Sequence, residues 1–187
     1  MSIGPDITQL LRQASEGDPQ ALSRLFEALY PELRQIAKRR LASGGHNTFL
    51  DTTSLIHECY VKFAHAEGMA PKDRQHFLAY SATAMRNIIV DFARARVAER
   101  RGAGAQHVDL DSELLAGMPT GEREVLAVHE ALADLAALDK RLAQVVEMRY
   151  FGGLDDAEIA SVLGLAVRTV QRDWEKARRV LSAALRR

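Results

Sequence analysis

Cysteine is nearly absent: Cys59 stands alone in 187 residues. That excludes a disulfide framework and any multi-cysteine zinc module, and it fits a reducing cytosol. No apolar run approaches the ~18 residues of a membrane span. The opening residues MSIGPDITQL lack the charged and apolar regions of a signal peptide, so a cytoplasmic protein without membrane contact is expected. Proline is rare (five residues) and falls mostly where elements should begin or end. Net charge is also missing. The chain has 25 Lys and Arg against 25 Asp and Glu, a balance that at face value argues against a nucleic-acid-binding protein. A phosphate-binding glycine loop is absent too, since Gly102-Ala103-Gly104 follows no strand. His57-Glu58 has no second histidine four residues after His57, which removes the zinc-peptidase pattern. No nucleophile, acid–base or metal set is clustered, so neither an enzyme nor a cofactor is expected.

The zero charge is an average over unlike parts. Residues 1–101 carry a net +3, residues 102–139 a net −7, and residues 140–187 a net +4. Two cationic modules joined by an anionic connector is the simplest reading. With 47% apolar residues the chain can build real cores.

What the chain does have is helical periodicity. No strand-like alternation is evident, and the expected fold is all-α: two small helical domains joined by a flexible acidic linker. The expected boundaries are 1–101 for the first domain, 102–120 for the linker and 121–187 for the second domain. Asp18-Pro19 reads as a helix start, and Leu22, Leu25, Phe26, Leu29, Leu33, Ile36, Ala37 and Leu41 extend it as one amphipathic helix, kinked near Pro31. A second helix is expected at about 53–66, with Leu55, Ile56, Cys59, Tyr60 and Phe63 inward, and a third at 74–100. Apolar steps from Val125 through Val146 mark the next helical stretch.

The sharpest local pattern is Leu154–Leu181. Asp155 or Asp156 can cap a short helix, Gly164 supplies a left-handed turn, and Val167, Val170, Trp174, Ala177 and Leu181 form the buried face of the following helix. This is the pattern of a helix-turn-helix whose second helix enters the major groove. Arg168, Gln171 and Arg172, in its first turns, can reach base edges, and Lys176, Arg178 and Arg179 are expected to meet phosphate or solvent. A plain helical hairpin with a charged outer face has the same periodicity, and Asp173 and Glu175 weigh slightly toward it.

These residues resemble a known family. Arg149-Tyr150-Phe151-Gly152-Gly153-Leu154, Glu158-Ile159-Ala160, Leu163-Gly164 and Thr169-Val170 are similar to the promoter-recognition domain of sigma-70 family sigma factors. Leu55 through Phe63 resembles their core-polymerase-binding helix, and Met85 through Phe92 their melting helix. Nearly all of residues 8–185 resembles the small two-domain extracytoplasmic-function group.

The resemblance implies a promoter-specificity subunit. Asp51, Thr53, Ser54, His57, Glu58 and Lys62 would meet the β′ clamp of RNA polymerase core. Met69, Lys72, Arg74, His76, Phe77, Tyr80, Arg86, Asn87 and Arg94 would meet the −10 promoter DNA. Arg168, Thr169, Gln171, Arg172, Lys176 and Arg179 would meet the −35 DNA, with the β flap nearby. Core packing remains open for Phe77 and Tyr80, and a solvent-facing turn for Arg86 and Asn87. The basic run Arg94, Arg96, Arg100 and Arg101 suits both phosphate and a helix C-terminus. An anti-sigma partner is compatible with the resemblance.

One departure stands out. The family usually enters its core-binding helix through aspartate-alanine-glutamate-aspartate, where this chain has Asp51-Thr52-Thr53-Ser54. Hydroxyls in place of acids suggest that a Ser/Thr kinase restores the charge at Thr53, with Ser54 and Thr52 as alternatives. Helix capping by the same residues is the plainer reading. The rival functions are an autonomous helix-turn-helix regulator, which would need a dimer to span two half-sites, and an enzyme.

Overall fold

The computed structural model describes residues 6–42, 50–66, 71–100 and 120–185. All regular structure among them is helical. Asp6 caps a first helix, α1 (Ile7–Ser15), by accepting from the N–H groups of Thr8 and Gln9. The sequence pattern did not signal it. Gly17, at φ +92°, turns the chain into α2 (Pro19–Ala28), which Asp18 caps with Pro19 in the first position, as expected.

The single kinked helix expected through Pro31 is instead two helices, broken at Leu29, with α3 running Tyr30–Ala42. Proline has no N–H to give the preceding turn, and its ring crowds the carbonyl four residues back. Starting a new helix places Pro31 in a first turn, where neither matters.

Asp51 caps α4 (Thr52–Ala64), whose buried face is Leu55, Ile56, Cys59 and Phe63. The long α5 (Arg74–Arg100) is the spine of the molecule, roughly 40 Å at 1.5 Å per residue. Phe77 is fully buried on it, in an edge-to-face cluster with Phe26 and Phe63 at centroid separations of 5.5 and 5.1 Å.

The second group of helices begins with α6 (Thr120–Leu138). Asp139 breaks the run expected to reach Val146, because its carboxylate accepts from the N–H groups of Arg141 and Leu142 and opens α7 (Lys140–Val146). A π-helical turn, Glu147–Phe151, ends that segment. Helix α8 (Asp156–Leu163) starts with a reciprocal capping box between Asp155 and Glu158 and stops at Gly164, φ +65°. Helix α9 (Val167–Ala184) completes the helix-turn-helix.

The two groups do not stand apart. One apolar cluster runs from Leu25, Phe26, Leu55 and Phe77 of the first to Val145, Ile159 and Val170 of the second. A second cluster, with Leu135, Leu142, Phe151 and Ala177, belongs to the second group. Helix α5 lies against the π-helical turn, α6 and α8.

Two stability predictions follow from this packing. Phe77→Ala should cost about 3–5 kcal/mol in urea unfolding, through lost burial and the cavity left behind. Gly164→Ala should cost only about 1–2 kcal/mol, since a methyl there meets open space and the penalty is the left-handed backbone alone.

Candidate polymerase and nucleic-acid interface

The start of α4 carries the first set of site residues. Asp51 Oδ1 accepts from the N–H of Thr53 at 2.8 Å and of Ser54 at 3.0 Å, and Ser54 Oγ donates to Oδ2 at 2.8 Å. The Ser54 N–H and hydroxyl, then the Thr53 N–H, hold the Asp51 carboxyl below the ordinary carboxylate range. The helix cap is therefore Asp51, and the plainer reading of the hydroxyls as caps does not hold for Thr53. Thr53 is exposed, while Thr52 and Ser54 are half-buried. His57, Glu58 and Lys62 are exposed further along α4, and Lys62 Nζ lies 3.8 Å from Asp91.

The second set lies around the start and middle of α5. Met69 falls outside the described residues. Lys72 is exposed. Arg74 is held between Glu32 at 3.1 Å and Glu158 at 3.7 Å, so one carboxylate from each group of helices grips it. Asp73 accepts from the backbone N–H of His76 and lies 2.9 Å from its ring Nδ1. Burial pushes the Asp73 carboxyl up, but these His76 contacts outweigh it and leave it low. Tyr80 is 45% exposed and packs edge-on to Phe63 at 5.1 Å. Phe77, with no exposed surface, has no face to offer a base in this arrangement: its ring is core. Asn87 is half-buried and Arg94 exposed.

In this arrangement Arg86 is held by the second group of helices and is not on a solvent-facing turn. Its Nη2 lies 2.7 Å from Glu147 Oε1, with the two side chains 16% and 17% exposed. Its Nη1 donates to His129 Nδ1 at 2.7 Å, since a guanidinium can only donate. Thr83 Oγ1 donates to Glu147 Oε2 at 2.9 Å. Thus α5 is stitched to α6 and the π-helical turn. Glu147, His129 and Thr83 were not singled out in the sequence. The available signal was Arg86 itself, a cation in an otherwise apolar helical stretch.

The third set, on α9, is open. Arg168, Gln171, Arg172, Lys176 and Arg179 are exposed along one helix, with Thr169 half-buried. Lys176 Nζ lies 4.0 Å from Asp139. Val167, expected on the buried face, is 42% exposed because it sits at the first position of α9, ahead of the packed turns. Asp173, which weighed against DNA binding, is buried: Arg141 donates to both its oxygens, at 2.7 and 3.3 Å. Its negative charge is removed from the outer face.

Among the described residues no group of His, Cys, Asp and Glu is arranged to hold a metal ion, and no helix is long and apolar enough to cross a membrane. Burial holds the Cys59 thiol up at about 12, as for a core residue.

His129 makes the stitched interface sensitive to acid. Burial and then Arg86 and Arg94 hold its imidazole below the ordinary histidine value, against a smaller opposing pull from Asp91 and Glu147. The unfolded chain therefore takes up a proton near pH ~6.5 before the folded chain does. The stabilisation is complete above that pH and is lost as pH falls below it. The urea midpoint should drop between about pH 7.5 and about pH 5.5, and the drop should be smaller in His129→Asn.

Comparison with known proteins agrees with the residue pattern. Residues 5–187 match the family described as ECF sigma factor. The chain is 27% identical, over 183 residues, to the ECF RNA polymerase sigma factor SigK of Mycobacterium ulcerans (strain Agy99), an alignment covering 96% of this chain and 94% of that protein. The match takes in the cap of α4, the whole of α5 and the helix-turn-helix together, and the chain belongs to the ECF sigma factor family.

Proposed function

We propose that this sigma factor brings RNA polymerase core to promoters through three surfaces, and that phosphorylation of Thr53 turns the first of them on. The outward face of α4, with Asp51, Thr53, Ser54, His57, Glu58 and Lys62, docks on the β′ clamp. The α5 face, with Lys72, Arg74, His76, Tyr80, Arg86, Asn87 and Arg94, engages the −10 element, where Tyr80 supplies the exposed ring on which an unpaired base stacks. The α9 face, with Arg168, Thr169, Gln171, Arg172, Lys176 and Arg179, reads the −35 element. The functional division is 1–101, 102–120 and 121–187. An anti-sigma factor is a further candidate partner.

The observation that carries the switch is the state of Asp51. It is the one acid in the 51–54 stretch, and three donors of its own helix engage both its oxygens. Its oxygens are taken up by the cap, and it brings a single negative charge to this end of α4. The Ser54 hydroxyl is spent on Asp51, whereas the Thr53 side chain is exposed. A phosphate there adds about −1.5 to −2 charges at the N-terminus of α4, where the helix dipole favours anions. Charges of that size opposite a basic partner surface change affinity strongly.

Thr53→Glu should raise affinity for core polymerase by about tenfold, the low end for a close interfacial charge pair. Thr53→Ala should leave in vitro transcription at the basal level even after incubation with a Ser/Thr kinase. A Thr53→Ala protein that binds core and transcribes like the kinase-treated wild type would sink the switch. Binding of promoter DNA without core polymerase, as a dimer, would instead favour the autonomous regulator.

A further inference from the structure

Arg40, near the end of α3, is in an unusual position for a cation. It is 4% exposed, and neither Nε nor Nη1 has a hydrogen-bond partner. Among the described residues only Nη2 is engaged, donating to the carbonyl of Ala82 at 3.0 Å. The guanidinium lies 3.4 Å from the centroid of the Phe151 ring. Arg86 shares one small cavity with it, of about 80 Å3, and its Nε is likewise buried and unpartnered.

The covering groups and the cations have different origins. Arg40 and Arg86 belong to the first group of helices. Glu124, Val125, Val128, His129, Tyr150 and Phe151, which line the cavity over them, belong to the second. The second group brings two carboxylates to the two arginines: half-buried Glu147 is committed to Arg86 and Thr83, and exposed Glu124 makes no ion pair with Arg40 among the described residues. Arg40 cannot shed its proton under any ordinary condition. Burial, then Arg86, lowers its affinity for that proton, and only Glu147 and Tyr150 pull weakly the other way. A ring face offsets part of such a charge but does not replace a counter-ion. The closed arrangement therefore holds a buried cation to which, among the described residues, no carboxylate is hydrogen-bonded.

We propose that Arg40 is a nucleic-acid phosphate contact of the α3–α5 face, hidden here by Phe151 and uncovered when the two groups of helices separate. The contact rests on the promoter-binding role proposed above for Arg86 and extends it onto α3. Gly153, at φ +70°, brings the turn against the Arg39 guanidinium next to Arg40, so the cover lies close on the end of α3.

The inference is tested with Arg40→Met and Arg40→Lys in the full chain. Methionine fills the same slot without charge, and replacing a buried unpaired charge by an apolar group stabilises the closed form. The free Arg40→Met chain should melt about 2–4 °C higher than wild type. Holoenzyme made with it should bind promoters, chosen from genomic fragments by the wild-type holoenzyme, with a salt slope shallower by about 0.7–0.9, the loss of one phosphate contact. Arg40→Lys should keep the slope. If Arg40→Met does not fold, Arg40→Gln is measured in its place. An unchanged slope overturns the proposal whatever happens to melting, and marks Arg40 as a packing residue. If wild-type holoenzyme selects no promoter at all, the reading of the chain as a promoter-directing subunit fails first, and the two failures are distinct.

Discussion

The contact on which the closed arrangement depends is the pair between Arg86 and Glu147. It is short, 2.7 Å, and both side chains are largely out of water. A pair in that position contributes little net stability against an apolar alternative, but it is costly to break from one side only. It therefore acts more as a register pin than as glue. Its neighbours are set by it: Thr83 completes the second oxygen of Glu147, and His129 takes the second nitrogen of Arg86 in the neutral tautomer that the guanidinium requires. The apolar cluster across the two groups supplies the area, and the pin chooses where they meet.

That meeting place divides the three surfaces unequally. The outer face of α9 and the outward end of α4 are open, whereas Arg86 and Arg74 are held by carboxylates of the second group of helices. An open α9 face alone is a weak DNA site for a chain whose positive and negative charges cancel. If the proposed DNA contacts hold, promoter contact by the free protein is limited twice over, by net charge and by occupancy of its own cations. The same arrangement leaves Thr53, His57 and Glu58 accessible, so the docking proposed for α4 would not require the groups to part.

Much of this was legible in the sequence, and the exceptions have physical causes. Periodicity located α4, α5 and the helix-turn-helix because each has an apolar face and a recognisable stop, such as Gly164 at φ +65°. It merged α2 with α3, and α6 with α7, because a hydrophobic stripe continues across a break when the two helices share a core. The local signals, Pro31 and the capping carboxylate of Asp139, were outvoted by the stripe. Asp173 was misjudged for a different reason: its charge is cancelled by Arg141, 32 residues away, and no local pattern reports a partner at that distance. Arg40 passed without notice on the same ground. A cation near the end of an amphipathic helix looks solvated until something from elsewhere in the chain lands on it.

The imbalance at Arg40 also bears on how the closed form can be reversible. If every buried charge were matched, separation would have to break the pin and the apolar contact with nothing recovered. Here separation returns one guanidinium to water or to a phosphate, and that gain belongs to the open state alone. On the proposed −10 role of Arg86, a phosphate would be an alternative to Glu147, so the polyanion would compete for the pin while offering Arg40 a counter-ion. A ligand shifts such an equilibrium only by its differential affinity for the two states. On the proposal made for Arg40, the two arginines, each with a buried unpartnered Nε when closed, would give nucleic acid that differential without any change in the apolar core.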